Sequence, residues 1–452
     1  MRNGIAALVL MLAACAPADR AEVTKAYPFD ATSPVALPAM KAFAPQQGSA
    51  PTRSNADLAA DFMDLEFSLE SGRALPFLIR FDGTVTVALR GDVPATASAD
   101  LGHLMARLRA EAGIDIVSAQ GPGAAIVIEF LPRARMQAVV PTAACFVAPR
   151  VASWAEYRKS RNSDILDWAT LTRREHLVIF IPSDTSPQEV RDCLHEELAQ
   201  ALGPLNDLYR LPDSVFNDDN FQAVLTGFDM LMLRLHYSPE LQNGMTAQDI
   251  AARLPALLAR LNPQGEFAGT TGNRANSQNW IDLIETALGP KTSDGARLRA
   301  AESALGIARQ QGYGDNRLAF SYFAVGRLNL GRDIPRAVAS FSQAAQLYQT
   351  LPDGPVHSAH VDMQMAAFAL SSGQPEAAIA LADTSIPVAM RAQNAALLAT
   401  LMLLKAQALD ELGRDDAASA VRLDSLGWAR YGFGSDQNVR DRIRDIAALS
   451  SL

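Results

Sequence analysis

Positive charge is in short supply in this sequence. Its 452 residues carry 40 Lys and Arg against 49 Asp and Glu, a formal net charge of −9 with pI near 5.3. A nucleic-acid partner wants a basic face, and this balance does not supply one. Long hydrophobic runs are missing as well: beyond the first residues every apolar window is short or broken by charge, so no later segment reads as a membrane span. Cysteine is scarce, with three residues at positions 15, 145 and 193. What is present is apolar material, 49% of the chain, and at this length two or three domains are the expectation.

The N-terminus reads as an export signal. Arg2 is a minimal basic region, and residues 5–14 form an apolar stretch too short to span a bilayer. The stretch ends in Leu12-Ala13-Ala14-Cys15, which resembles the lipobox of bacterial lipoproteins. The resemblance implies that residues 1–14 are removed, that Cys15 is diacylated and its new amine acylated, and that Ala16 sorts the protein to the periplasmic face of an outer membrane. Buried acyl methylenes at about 0.8 kcal/mol each make such an anchor hold. The alternative is an ordinary secretory signal with a chance cysteine. Residues 15–55, rich in Pro, Ala, Ser and Thr without a period, read as a flexible tether.

Export leaves Cys145 and Cys193 as the available pair in an oxidising compartment, expected as a disulfide with two buried thiols as the alternative. Residues 56–261 mix strand and helix patterns. Phe77-Leu78-Ile79-Arg80-Phe81, the Asp82-Gly83 pair and Thr84-Val85-Thr86-Val87 give a hairpin signal. Leu101, Leu104, Met105 and Leu108 keep helical spacing. Residues 125–130 and 177–181 read as strands, and Ser186-Pro187 opens a helix to about Leu202. Residues 262–279 read as a linker, and 280–452 show only helical periodicity.

The residues that could carry chemistry lie on the helix after 177–181. His195-Glu196 begins the zinc-helix pattern His-Glu-x-x-His, but its fifth position is Ala199, which has no donor atom. Shifted by one, the run from Glu196 to Asp207 resembles the metzincin helix and turn, with the general base on Glu197, the turn glycine on Gly203, and the three ligand positions on Glu196, Gln200 and Asn206. Leu225-Thr226-Gly227-Phe228-Asp229 and Arg234-Leu235-His236-Tyr237 resemble the helix that follows the site in matrix metalloproteases. The Glu-Glu-x-x-Gln-x-Leu-Gly run, with Tyr237, Pro239, Gly244 and Met245, is similar to an uncharacterised bacterial lipoprotein family known only as a domain of unknown function. The resemblance implies a zincin-like α+β domain. The departure from it concerns the metal, since an amide such as Gln200 or Asn206 is a poor donor to zinc. A solvated helix face and an active metalloenzyme are the other readings of the same residues.

In the C-terminal part, Ala337, Ala378 and Ala418 follow Gly331, Gly373 and Gly413 and recur every 40 or 41 residues. With Phe341 and Ala344, and with Tyr322 and Gly326 before them, they resemble a stretched tetratricopeptide array. A plain helical bundle is the alternative. His357 and His360, three apart, have no third donor in view, and Gly289-Pro290-Lys291-Thr292-Ser293 lacks the Gly-Lys step of a phosphate loop. Ser183 and Ser214 sit in no nucleophile motif. The expectation is therefore a membrane-anchored envelope lipoprotein that binds a protein or peptide, with a metal-free, non-catalytic zincin-like domain, no cofactor, no nucleotide and no nucleic acid. The rival expectation is an envelope metallo-hydrolase using Glu197.

Overall fold

The computed structural model describes residues 37–451 except 122, 270–271, 276, 290–291 and 352–353; the expected signal and Cys15 lie outside the described residues. The described residues divide into two compact units, Ala44–Thr271 and a second made of Gly272–Leu452 together with residues 37–43. The boundary falls inside the expected linker, whereas the first unit starts before residue 56.

In the first unit, α1 (Asn55–Glu66) precedes β1 (Val85–Gly91), α2 (Ala97–Arg107), β2 (Ile116–Ser118), β3 (Ile126–Leu131) and α3 (Arg133–Gln137). Then come β4 (Phe146–Pro149), α4 (Trp154–Ser160), β5 (Leu177–Pro182), α5 (Pro187–Leu202), α6 (Gly227–His236) and α7 (Ala247–Leu261). One sheet of order β2-β1-β3-β5-β4 forms, parallel except for the antiparallel edge strand β4. All six residues of β5 are buried, which is what a continuous Val/Ile/Leu/Phe run in a covered parallel sheet predicts. Alternation then divides them between two cores. Ile126, Ile128, Leu177, Ile179 and Ile181 face the larger core with Phe62, Leu101, Leu194 and Leu233, whereas Val127, Val178 and Phe180 face a smaller one with Met136 and Trp154.

The expected hairpin does not form. Gly83 has φ 81°, as its turn requires, but residues 77–81 are not a strand and β1 runs parallel to β2 and β3. Leu78 instead donates its N–H to Met245 O at 2.9 Å and accepts from Gly244 N–H at 3.0 Å, while Arg80 O accepts from Arg174 N–H at 3.1 Å. A central strand with two long-range parallel neighbours has no edge left for a local partner, so turn propensity loses to the sheet.

Among the described residues the second unit holds nine helices. They are α8 (Gln278–Leu288), α9 (Asp294–Gln310), α10 (Asn316–Asn329), α11 (Ile334–Thr350), α12 (Pro355–Ser371), α13 (Pro375–Arg391), α14 (Ala395–Glu411), α15 (Asp415–Phe433) and α16 (Asp436–Ala447). Each packs against the next. The recurring small residues Ala337, Ala378 and Ala418 are all fully buried. A Cβ on Gly326 would lie 3.0 Å from the Phe341 ring, so the glycine on α10 makes the recess that the α11 aromatic fills. Gly373 and Gly413, both with φ 67°, adopt the left-handed conformation just after helices α12 and α14.

Candidate functional site

Helix α5 is fixed at both ends. Ser186 caps its start by accepting Glu189 N–H at 3.1 Å, with Pro187 in the first turn. At its end, buried Arg174 donates to Gln200 O at 2.5 Å, to Gly203 O, and to Ile79 O at 3.1 Å. The Tyr237 hydroxyl donates to Leu202 O at 3.0 Å. A cation here satisfies carbonyls that a helix terminus leaves open. Burial lowers the Arg174 pKa to about 10, which still leaves it charged at neutral pH. A Cβ on Gly203 would meet Leu233 Cδ2 at 3.1 Å, so the glycine lets the chain pass close under α6.

The C-terminal half of α5 carries the residues of the motif. Glu197 and Gln200 are buried and Glu196 is half-buried. Asp207, beyond the Gly203 turn, accepts from Gln200 Nε2 at 3.2 Å and shares a hydrogen bond with Glu70, which requires a proton between the two carboxyls. Asp218 and Glu70 complete the cluster from two loops. Burial is the first cause raising the pKa values here, and neighbouring acids are the second. Glu196 is pushed to about 8 by burial and by Asp218, Glu70 and Asp192. Glu197 rises well above the carboxylate range through burial, Glu196 and Glu70, against the opposing effect of the Val147 N–H that it accepts. Asp207 rises likewise through burial, Asp218, Glu70 and Glu196. The charged groups acting on these three are all acids. Glu197 Oε2 and Asp207 Oδ1 are buried with no hydrogen-bond partner among the described residues.

Two of the ligand positions of the metzincin pattern spend their amides within the fold: Gln200 donates to Asp207, and Asn206 donates from Nδ2 to Asp64 O at 2.8 Å on α1. In the irregular run after Gly203 neighbouring side chains diverge, so the one facing Gln200 is Asp207 and not Asn206. His195 packs on the far side, where its Nδ1 accepts Leu225 N–H at 3.0 Å; burial, with Arg191 and Arg107 adding to it, holds its pKa well down, so it is neutral. Among the described residues no group of three or more His, Cys, Asp or Glu side chains is arranged to hold a metal ion. Sequence reasoning passed over Glu70, Asp207 and Asp218. Asp207 was visible beside Asn206, whereas Glu70 and Asp218 have no pattern linking them to α5.

Cys145 and Cys193 form a disulfide with Cα atoms 6.0 Å apart, joining the residue before β4 to α5. In the second unit, His357 is buried against Tyr348 with ring centroids 4.9 Å apart. Ser214 hydrogen-bonds Asp229 at 2.6 Å, a structural role at the start of α6.

Residues 55–256 match the model of a family described as a protein of unknown function, DUF2927, so the chain carries a DUF2927 domain that spans α1 to most of α7. No curated protein and no solved structure matches the chain.

Proposed function

We propose that this protein is a lipoprotein anchored through Cys15 to the periplasmic face of the outer membrane, and that it binds a protein or peptide without cutting it. The observation that carries the reading is the pair of buried carboxyl oxygens, Glu197 Oε2 and Asp207 Oδ1, that have no hydrogen-bond partner among the described residues. Buried carboxyls with unpartnered oxygens are costly unless a ligand completes them, and a Lys or Arg side chain reaching in past exposed Glu70 has the right charge. The partner presents a basic segment, and its binding ionises the cluster and releases protons.

The sheet with its antiparallel edge strand, followed by a helix and a glycine turn, supports a zincin-like ancestry for the α/β unit. The donor set speaks against a working zinc site. Gln200 spends its amide on Asp207 and Asn206 spends its own on α1. A general base must be ionised near the operating pH, whereas burial, Glu196 and Glu70 push the Glu197 carboxyl toward its protonated form. The rival, a hydrolase using Glu197, needs both conditions reversed. The serial helix pairs of the second unit suit a tetratricopeptide-like array, a second surface for a protein partner.

Crosslinking in intact cells followed by capture of the tagged mature protein tests this reading. Glu70→Lys and Asp207→Asn each lose most of the yield of partner, and Cys15→Ala leaves the membrane fraction. Capture indifferent to Glu70→Lys and Asp207→Asn contradicts it.

A further inference from the structure

Before α1 the chain runs through residues 44–54 without helix or strand, and part of this segment crosses the start of α6. Two glycines make the crossing possible. A Cβ on Gly48 would lie 2.4 Å from Gly227 N, and a Cβ on Gly227 would lie 1.7 Å from Ser49 O. Gly48 N–H also donates to Glu111 Oε2 at 3.2 Å. Glu111 belongs to Leu108–Ala112, a π-helical turn that continues α2, and such turns recur at functional sites. The Glu111 carbonyl accepts from Arg234 on α6, from Nε at 2.6 Å and from Nη2. Between the crossing segment, this turn, α6 and the end of α7 lies a cavity of about 240 Å³, partly open to solvent. Two of the residues lining it are charged, Glu111 and Arg234. The Glu111 carboxylate is already balanced, because Arg107 donates to Oε1 at 2.6 Å and to Oε2 at 3.0 Å. Half-buried Arg234 spends two donors on a neutral carbonyl and, among the described residues, pairs with no carboxylate.

We propose that this cavity binds a small organic acid with an apolar body, its carboxylate at Arg234 and its chain along Met230, Leu231 and Leu261. The head group follows from the charge. A guanidinium with Nη1 unspent offers donors suited to a carboxylate. One uncompensated cation beside the Glu111 carboxylate suits a single negative charge, whereas a phosphate carries about two and has no second free cation among the lining residues. The body follows from the walls, where three aliphatic side chains face a guest that can shed water from its chain. Its size follows from the volume. A cavity of about 150 Å³ holds benzene and drug-sized ligands fill about 300 Å³ or more, so this one suits roughly ten non-hydrogen atoms. No residue of the acidic cluster lines the cavity, so the site is independent of the basic partner proposed above.

Titration calorimetry of the full mature protein with sodium hexanoate tests the assignment. Hexanol and hexylamine carry the same tail with a neutral and a cationic head. Hexanoate binds saturably, one per chain, and the other two bind at least about tenfold more weakly. Arg234→Gln weakens hexanoate by at least about tenfold. Because Arg234 also holds the π-helical turn, Ala50→Trp supplies a second variant on an exposed residue of the crossing segment. Its indole fills the cavity and abolishes hexanoate binding with Arg234 in place. Absence of saturable hexanoate binding overturns the proposal, as does hexanol binding as tightly as hexanoate. Hexanoate affinity unchanged in either variant overturns it too. Inorganic phosphate that displaces hexanoate at equal concentration overturns the choice of a carboxylate.

Discussion

Replacing Cys145 and Cys193 together by serine lowers the unfolding free energy of the α/β unit by about 4 kcal/mol. The bridge closes a separation of 48 residues, and removing a cross-link of that span from the unfolded ensemble restores roughly this much chain entropy. The native state loses little by comparison, because Cys193 is buried in the main core where serine still fits the space. What changes locally is the anchoring of β4. This strand has four residues and β5 as its one sheet neighbour, so without the bridge it holds to the molecule by a short ladder, by the Val147 N–H donated to Glu197, and by the packing of Phe146 on Tyr157 and Phe180. Denaturant titration of the oxidised protein, the reduced protein and the double variant measures the effect. Reduced protein and variant coincide, and both fall below the oxidised form by the stated amount. A variant as stable as the oxidised protein contradicts the account.

Raising the pH from about 5 to about 8 destabilises the α/β unit, in the opposite sense to a domain held by carboxylate ion pairs. In the unfolded chain Glu196 ionises near 4.5, whereas in the folded chain it stays protonated up to about 8. Glu197 and Asp207 are raised in the same direction. Across that window the folded state binds more protons than the unfolded one, so stability falls as pH rises, by about 1.4 kcal/mol per pH unit for each proton retained. The contribution is complete below the unfolded value and is lost as pH passes through the folded one. Glu196→Gln and Asp207→Asn each flatten the profile and increase stability at pH 8. A Lys- or Arg-rich peptide flattens the wild-type profile as well, because it stabilises the ionised cluster. A profile that rises toward pH 8 in the wild type excludes the buried, uncompensated acids on which the binding proposal rests.

How much of this was legible in the sequence depends on the range of the interaction. β3, β5 and α5 were, because their signals are local: continuous β-branched runs for the buried strands, and a Ser-Pro start for the helix. The cysteine pairing was legible from scarcity, since the expected export signal sets Cys15 aside and leaves a single pair. The small-residue period predicted the buried faces at Ala337, Ala378 and Ala418 without needing any partner to be known. The hairpin at Asp82-Gly83 was not foreseen to fail, because nothing local reveals that β1 takes parallel neighbours from residues 116–118 and 126–131. The acidic cluster was half visible. Glu196, Glu197 and Gln200 are one helix turn apart at most, whereas Glu70 and Asp218 arrive from loops by long-range folding. The pattern alone put Asn206 in the site, and the direction of a single residue after Gly203 replaced it with Asp207. The cavity beside residues 47–51 had no local signal, because its walls come from four stretches far apart in the chain.

The central claim is that the α/β unit binds and does not cut. Elemental analysis of the mature protein purified from envelopes, coupled to a peptide-hydrolysis assay on the same sample and on Glu197→Gln, tests it most directly. The account predicts far less than one zinc per chain and background hydrolysis that is identical in the two proteins. One tightly held zinc per chain, with hydrolysis that disappears in Glu197→Gln, contradicts it and restores the metallo-hydrolase.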